Sequence, residues 1–347
     1  MTIHTDTTST VPKRRTSPRR RPLDAPAPAR TPRASGSAPT RAPEDADPAV
    51  QTRGLYMTAA KAAGEAAAAA LQLDAWAIAA KLRRVCEHGG DGLATVALAD
   101  RWLKRRFGHC DDMLRRALTA SLALVLAPKG LPVEIAALYP AAHLRLAKSL
   151  SGGAPYDPDF FAKDLAFVCG FFAPVGALTL GVPTARGPLA RLVHAKRAAG
   201  LMLRMARSGQ GGAMLYLLAS TGARPWVELH VDSRNLREFG AEGFDRTYHR
   251  IAALLRERPD IAGVHGASWL YDPAAAAISP SLGFISEPVR TGGAVLVRLG
   301  VDPVQTAYAV SRSPTRRQMW LDGLYNPACY GLYWPRQKLI AWSDARR

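Results

Sequence analysis

The chain has 347 residues, 48% hydrophobic and 21% charged, a globular balance that excludes wholesale disorder. Its formal charge of +18 favours anionic partners. The four cysteines, at 86, 110, 169 and 329, form no CxxC pair, which argues against a disulfide scaffold or a cysteine zinc site and fits a reducing cytoplasm.

Residues 1–53 read as a disordered basic tail. Up to residue 50 it carries nine basic residues, among them Lys13, Arg14, Arg15, Arg19, Arg20 and Arg21, against five acidic ones, and nine of the 26 prolines. Few side chains there can bury apolar surface, so ordering the segment is not repaid. No apolar run follows the arginines, which excludes a secretory signal. The expected use of such a tail is a nonspecific grip on nucleic acid or another polyanion.

Residues 54–153 read as a helical region. A first helix is expected over Met57–Val85, with Leu71, Leu73, Trp76, Ile78 and Leu82 as its apolar stripe. A second covers Leu93–Phe107, and a third starts at the acidic pair Asp111 and Asp112 and runs to Leu126. A fourth runs from Pro132 to Leu150 before Ser151-Gly152-Gly153. Arg101, Lys104, Arg105 and Arg106, with Arg115 and Arg116, form a basic cluster around a turn at Gly108. Met113–Leu126 is too apolar for a recognition helix, so this cluster suits phosphate contact and not base readout.

Residues 154–347 read as an α+β domain on a mixed sheet, and the whole chain as α+β. Leu165–Ala185 has no charge over 21 residues, long enough to cross a bilayer. Its glycines and prolines (Gly170, Pro174, Gly176, Gly181, Pro183) predict instead a buried helix end and a buried strand, with no membrane span. From Leu165 to Val227 there is no acidic residue but seven basic ones. Within that stretch the expected helix Arg186–Arg207 puts Lys196, Arg197, Arg204 and Arg207 on one arc, suited to an anionic ligand. The loop Ser208–Ala213 is similar to the pyrophosphate loop of N-acetyltransferases, but Gln210 stands where that pattern needs glycine, and a linker fits better. Further on, strands are expected over Trp226–Asp232, Ala262–Tyr271, Ser281–Ile285 and Ala294–Leu299. Helices are expected over Ala241–Arg258, Pro303–Val310 and Pro314–Asp322, with Cys329–Trp342 extended.

Strict alternation over Trp226–Asp232 sets Glu228, His230 and Asp232 on one face. A carboxylate beside an imidazole can fix its tautomer and favour its charged form, so the face reads as an acid/base site, a metal site with His249, or a solvated edge. Gly263 and Gly266 predict a bulge or a close approach in the next strand, where His265, Trp269 and Tyr271 share a face. The run Ser268-Trp-Leu-Tyr-Asp-Pro273 with Ile278-Ser-Pro280 resembles an uncharacterised bacterial protein family over about residues 225–345. That resemblance implies a shared domain and no particular reaction. The residues together predict group transfer on an anionic small molecule, with coenzyme A as the candidate cofactor. Here His230 acts as base, Asp232 or Glu228 orients it, and Arg197, Arg204 and Arg207 with His265, Trp269 and Tyr271 bind the substrate; no resident metal is expected. The alternative is a noncatalytic polyanion binder using the tail and the Arg101–Arg116 cluster.

Overall fold

The computed structural model describes residues 47–87, 92–127, 130–152, 156–181, 209–221, 224–231 and 237–346, together with 199, 200, 202, 203, 205 and 206. The expected tail to residue 46, and most of the expected basic helix with Arg197, Arg204 and Arg207, lie outside the described residues, as does Asp232. Residues 48–53, expected in the tail, are helical instead, and Thr52 there is buried.

Asp47 starts α1 (Pro48–Lys61) by accepting the N–H of Ala49, and Pro48 fills the first turn, where a missing donor costs nothing. A turn at residues 62–64 separates α1 from α2 (Glu65–Glu87), so Met57–Val85 is two helices and not one. On α2 the buried stripe is Leu71, Ala75, Ile78 and Leu82, while Leu73 and Trp76 are 81% and 62% exposed. The spacing i, i+4, i+7, i+11 explains this, because Leu73 and Trp76 fall off that line. Then come α3 (Gly92–Phe107) and α4 (Asp112–Val125), the latter capped by Asp111 onto the N–H of Leu114. Pro132 caps only a single turn, α5 (Val133–Ala136), and the chain restarts as α6 (Tyr139–Ser151) and α7 (Pro158–Val168). These helices share a core that includes Leu71, Leu103, Leu118, Leu122, Leu146, Phe161 and Leu165.

Cys169 and Gly170 end α7. The N–H of Phe171 bonds the carbonyl of Ala166 at 2.7 Å and Gly170 takes φ +77°, a left-handed closure that turns the chain into the sheet. The uncharged run 165–181 is thus a helix end followed by the hairpin β1 (Phe172–Pro174) and β2 (Thr179–Gly181). Among the described residues no helix is long and apolar enough to cross a membrane.

Helix α8 (Gly211–Thr221) precedes β3 (Trp226–His230), and α9 (Ala241–Glu257) connects β3 to β4 (Gly263–Ser268). The N–H of Gln210 bonds the carbonyl of Met205 at 2.8 Å and Gly209 has φ +74°. The glycine loop therefore closes a helix end, as the linker reading requires. After β4 come α10 (Pro273–Ile278), α11 (Gly283–Thr291), β5 (Val295–Gly300), α12 (Pro303–Ser311), α13 (Pro314–Leu321), β6 (Cys329–Pro335) and α14 (Arg336–Asp344). Two expectations change here. Residues 281–285 are helical because Phe284 and Ile285 pack into the core beside Phe244, and Cys329–Trp342 is a strand only to Pro335.

The strands form one sheet in the order β1-β2-β3-β4-β6-β5. Only the β3–β4 pair is parallel, and α9 supplies the crossover such a pair needs. Val227, Leu229, Val264, Leu332 and Trp334 face one way, into a core with Phe244, Tyr248 and Ile251 of α9 and Leu339 and Trp342 of α14. A Cβ on Gly263 would lie 2.2 Å from the carbonyl oxygen of Trp334, so the close approach expected there is by neighbouring backbone. The chain is an α+β protein, with a helical N-terminal region and a mixed sheet after it.

The Ser268–Pro280 run builds turns. Strand β4 ends at Ser268, whose Oγ accepts the N–H of Leu270 and starts a 3₁₀ turn over Trp269–Tyr271. Alternation stops there, so Trp269 and Tyr271 do not share the face of His265. Tyr271 is buried in the core, and Trp269 lies under the guanidinium of Arg316, 4.9 Å from the ring centre. Arg316 also donates to Ser279 Oγ and to the carbonyl of Ala309. The buried carboxylate of Asp272 accepts the N–H of Ala274 at 3.0 Å, capping α10, and that of Ala328 at 3.1 Å. Asp272→Ala removes both, and we expect a loss of about 2 kcal/mol in urea unfolding, since a cap is worth up to about 2 and a buried donor is also stranded.

Candidate functional site

Phe172, Pro174, Thr179 and His230 share one face of the sheet, as the registers Phe172↔Gly181, Pro174↔Thr179 and Thr179↔His230 require. This is the face opposite the α9 core. Helices α6 and α7 stand against it and enclose a cavity of about 370 Å³. From α6 come Ala142, Arg145, Leu146, Lys148 and Ser149, and from α7 Lys163, Asp164 and Phe167. The spacing 142, 145, 146, 149 is one helical face, and 163, 164, 167 another. The hydroxyl of Tyr139 on α6 donates to the carbonyl of Phe172 at 3.4 Å, joining the two walls.

His230 stacks on Phe172, with ring centres 4.6 Å apart and planes 28° from parallel. Its Nε2 lies 3.6 Å from Glu228 Oε2, an ion-pair distance longer than a hydrogen bond. The imidazole is 27% exposed and the carboxylate 50%. Burial holds the imidazole pKa below its ordinary value; Glu228 opposes that shift and Lys163 adds to it. The expectation from charge alone was a raised value, and desolvation reverses it.

Three positive side chains line the cavity: Arg145 and Lys148 at an exposed rim and Lys163 half-buried. Asp164 lines it too, but is buried and holds the hydroxyl of Tyr156 at 2.8 Å. Behind Phe167, the Tyr139 ring stacks at 5.4 Å and His143 at 4.8 Å, which fixes that wall.

Of the predicted residues, His230 lines the cavity and Glu228 reaches its Nε2, while His265 does not line it. His265 is the β4 neighbour of Glu228 in register and lies parallel to the Tyr333 ring, with centres 6.1 Å apart. Trp269 and Tyr271 do not join them. His249 sits on α9, on the other side of the sheet, and meets Ser343 Oγ at 2.8 Å. Among the described residues no group of three or more metal-ligating side chains assembles. Sequence reasoning missed Arg145, Lys148 and Lys163. The available signal was Lys163-Asp164, the only charges within the apolar run Phe160–Phe171.

The basic cluster on the helices is partly internal. Arg115 makes a two-pronged pair with Asp100, at 3.0 and 2.8 Å, and Arg106 pairs with Asp74 at 3.2 Å. Arg116 is buried and donates to the carbonyls of Ser149, Leu150 and Gly152. Arg101, Lys104 and Arg105 remain exposed.

Comparison with protein-family models, with curated proteins and with solved structures found no match. The family resemblance thus rests on sequence runs over about residues 225–345, of which Ser268–Pro273 and Ile278–Pro280 here cap helices and pack turns.

Proposed function

We propose that this protein binds a small anionic molecule in the cavity between α6, α7 and the β1–β3 face, and transfers a group to or from it with His230 as the proton acceptor. One observation carries the reading: Arg145, Lys148 and Lys163 converge on the same cavity as an imidazole that burial keeps neutral. Glu228 faces Nε2, which favours the proton there and leaves Nδ1 as the basic nitrogen. A coenzyme A thioester belongs to the anionic donors this reading admits. The free thiols of Cys110, Cys169 and Cys329 suit a cytoplasmic setting.

The test is anion binding as a function of pH. Protonating His230 adds a positive charge to the cavity, so affinity for inorganic sulfate, which stays a dianion throughout, is expected to rise as pH falls below the ordinary imidazole range. His230→Ala should flatten that rise while retaining binding at pH 7. Lys163→Met should weaken binding at every pH by about tenfold, with a stability change within about 0.5 kcal/mol. Binding indifferent to both substitutions would defeat the reading.

A further inference from the structure

The cavity is charged at its rim and apolar within. Leu146 and Phe167 approach from the helices, Phe172 and Pro174 from the sheet; the Tyr139 ring backs Phe167, and Phe172 stacks on the His230 ring beside it. A sugar or a nucleobase needs several hydrogen-bonding groups on the wall that receives it. Here the sheet wall offers the Thr179 hydroxyl and the His230 imidazole. An anion is therefore favoured beside Arg145, Lys148 and Lys163, while whatever follows it meets aromatic and aliphatic surface. About 370 Å³ lies within the roughly 300–1,000 Å³ of sites that enclose a drug-sized molecule.

We propose that the ligand is an amphiphilic anion, an acyl chain of medium length with its negative head at Arg145, Lys148 and Lys163 and its chain between Phe167 and Phe172. This rests on the anion-site reading above and names the class of molecule that fits it. Burying methylenes should make affinity climb with chain length, whereas a purely polar site would be indifferent to it.

Isothermal calorimetry on the full chain with acetate, butanoate, hexanoate, octanoate and neutral octanol tests this without any substitution. Octanoate is expected to bind at least tenfold more tightly than acetate, with a graded series between, and at least tenfold more tightly than octanol. Lys148→Met with Lys163→Met should remove the advantage of octanoate over octanol, which separates binding at this rim from detergent-like adsorption. Equal affinities for acetate and octanoate would overturn the amphiphile and leave the anion site standing. Absence of binding by every carboxylate and by sulfate at millimolar concentration would overturn both. Chain-length dependence that survives in the double variant with its charge preference intact would place the chain elsewhere and overturn the proposal.

Discussion

Replacing Arg116 with methionine is expected to cost about 3 kcal/mol of stability. The guanidinium is buried, lies 5.1 Å from the centre of the Tyr156 ring, and donates to three carbonyls at 3.0, 2.9 and 2.7 Å. Two of those carbonyls belong to the last turn of α6 and the third to Gly152 just after it. Backbone acceptors at a helix end lack their helical partners, and although the carbonyl of Ser149 also takes the N–H of Gly152 at 3.4 Å, the buried arginine serves all three. Methionine fills much of the space but takes a donor from all three carbonyls, and hydrogen bonds to a charged group are worth roughly 1.5–3 kcal/mol each. Arg116→Lys should recover only part, because all three bonds come from Nη1 and an ammonium in its place gives up the planar face that meets the Tyr156 ring. Urea unfolding with an unchanged slope measures the loss. A loss below about 1 kcal/mol would contradict this account.

Acid should destabilise the protein before its carboxylates titrate. The ring of His143 packs among Tyr56, Tyr139 and Phe167, with Nδ1 2.8 Å from the Tyr56 hydroxyl, and burial pushes its pKa down to about 4. An unfolded histidine titrates near 6.5. Between these values the unfolded chain takes up a proton that the folded chain refuses, so stability rises with pH across the window and falls as acid is added. The shift corresponds to about 3 kcal/mol, fully lost near pH 4. His230 adds a loss of the same sign. His143→Phe should flatten most of the slope between pH 6.5 and 4. Tyr56 retains an acceptor in that variant, because its hydroxyl also reaches the backbone carbonyl of residue 143 at 3.1 Å. Denaturant midpoints at a series of pH values decide the matter.

Much of the architecture was legible because local chemistry and tertiary packing agree. Asp302-Pro303 and Ser313-Pro314 start α12 and α13 as capping rules require, and the long amphipathic repeat of α9 gives a helix with one buried face. Where the two disagree, the sequence misleads. Tyr330, Tyr333, Trp334 and Trp342 look like one long strand, yet past Pro335 the chain turns helical so that Leu339 and Trp342 can meet Tyr248 and Trp334. The glutamate–histidine stripe on β3 was readable from period-two alternation. The rim cations were not, since Arg145 and Lys148 look like an ordinary wet helix face until strands β1 to β3, the last of them Trp226–His230, pack across from them.

That packing has a practical consequence. The cavity walls come from α6 and α7 on one side and from β1, β2 and β3 on the other, so a molecule seated there acts as a rivet between helices and sheet. Whatever occupies it must come out before the two layers can part. Occupancy then adds RT ln(1 + [L]/Kd) to the stability of the folded state, about 2.7 kcal/mol at a hundredfold excess over Kd. The melting temperature is thus a reporter for the cavity that needs no assay of turnover. A library of metabolites ranked by how far each delays melting, and ranked again on the Lys163→Met protein, would pick out the molecules that depend on this seam.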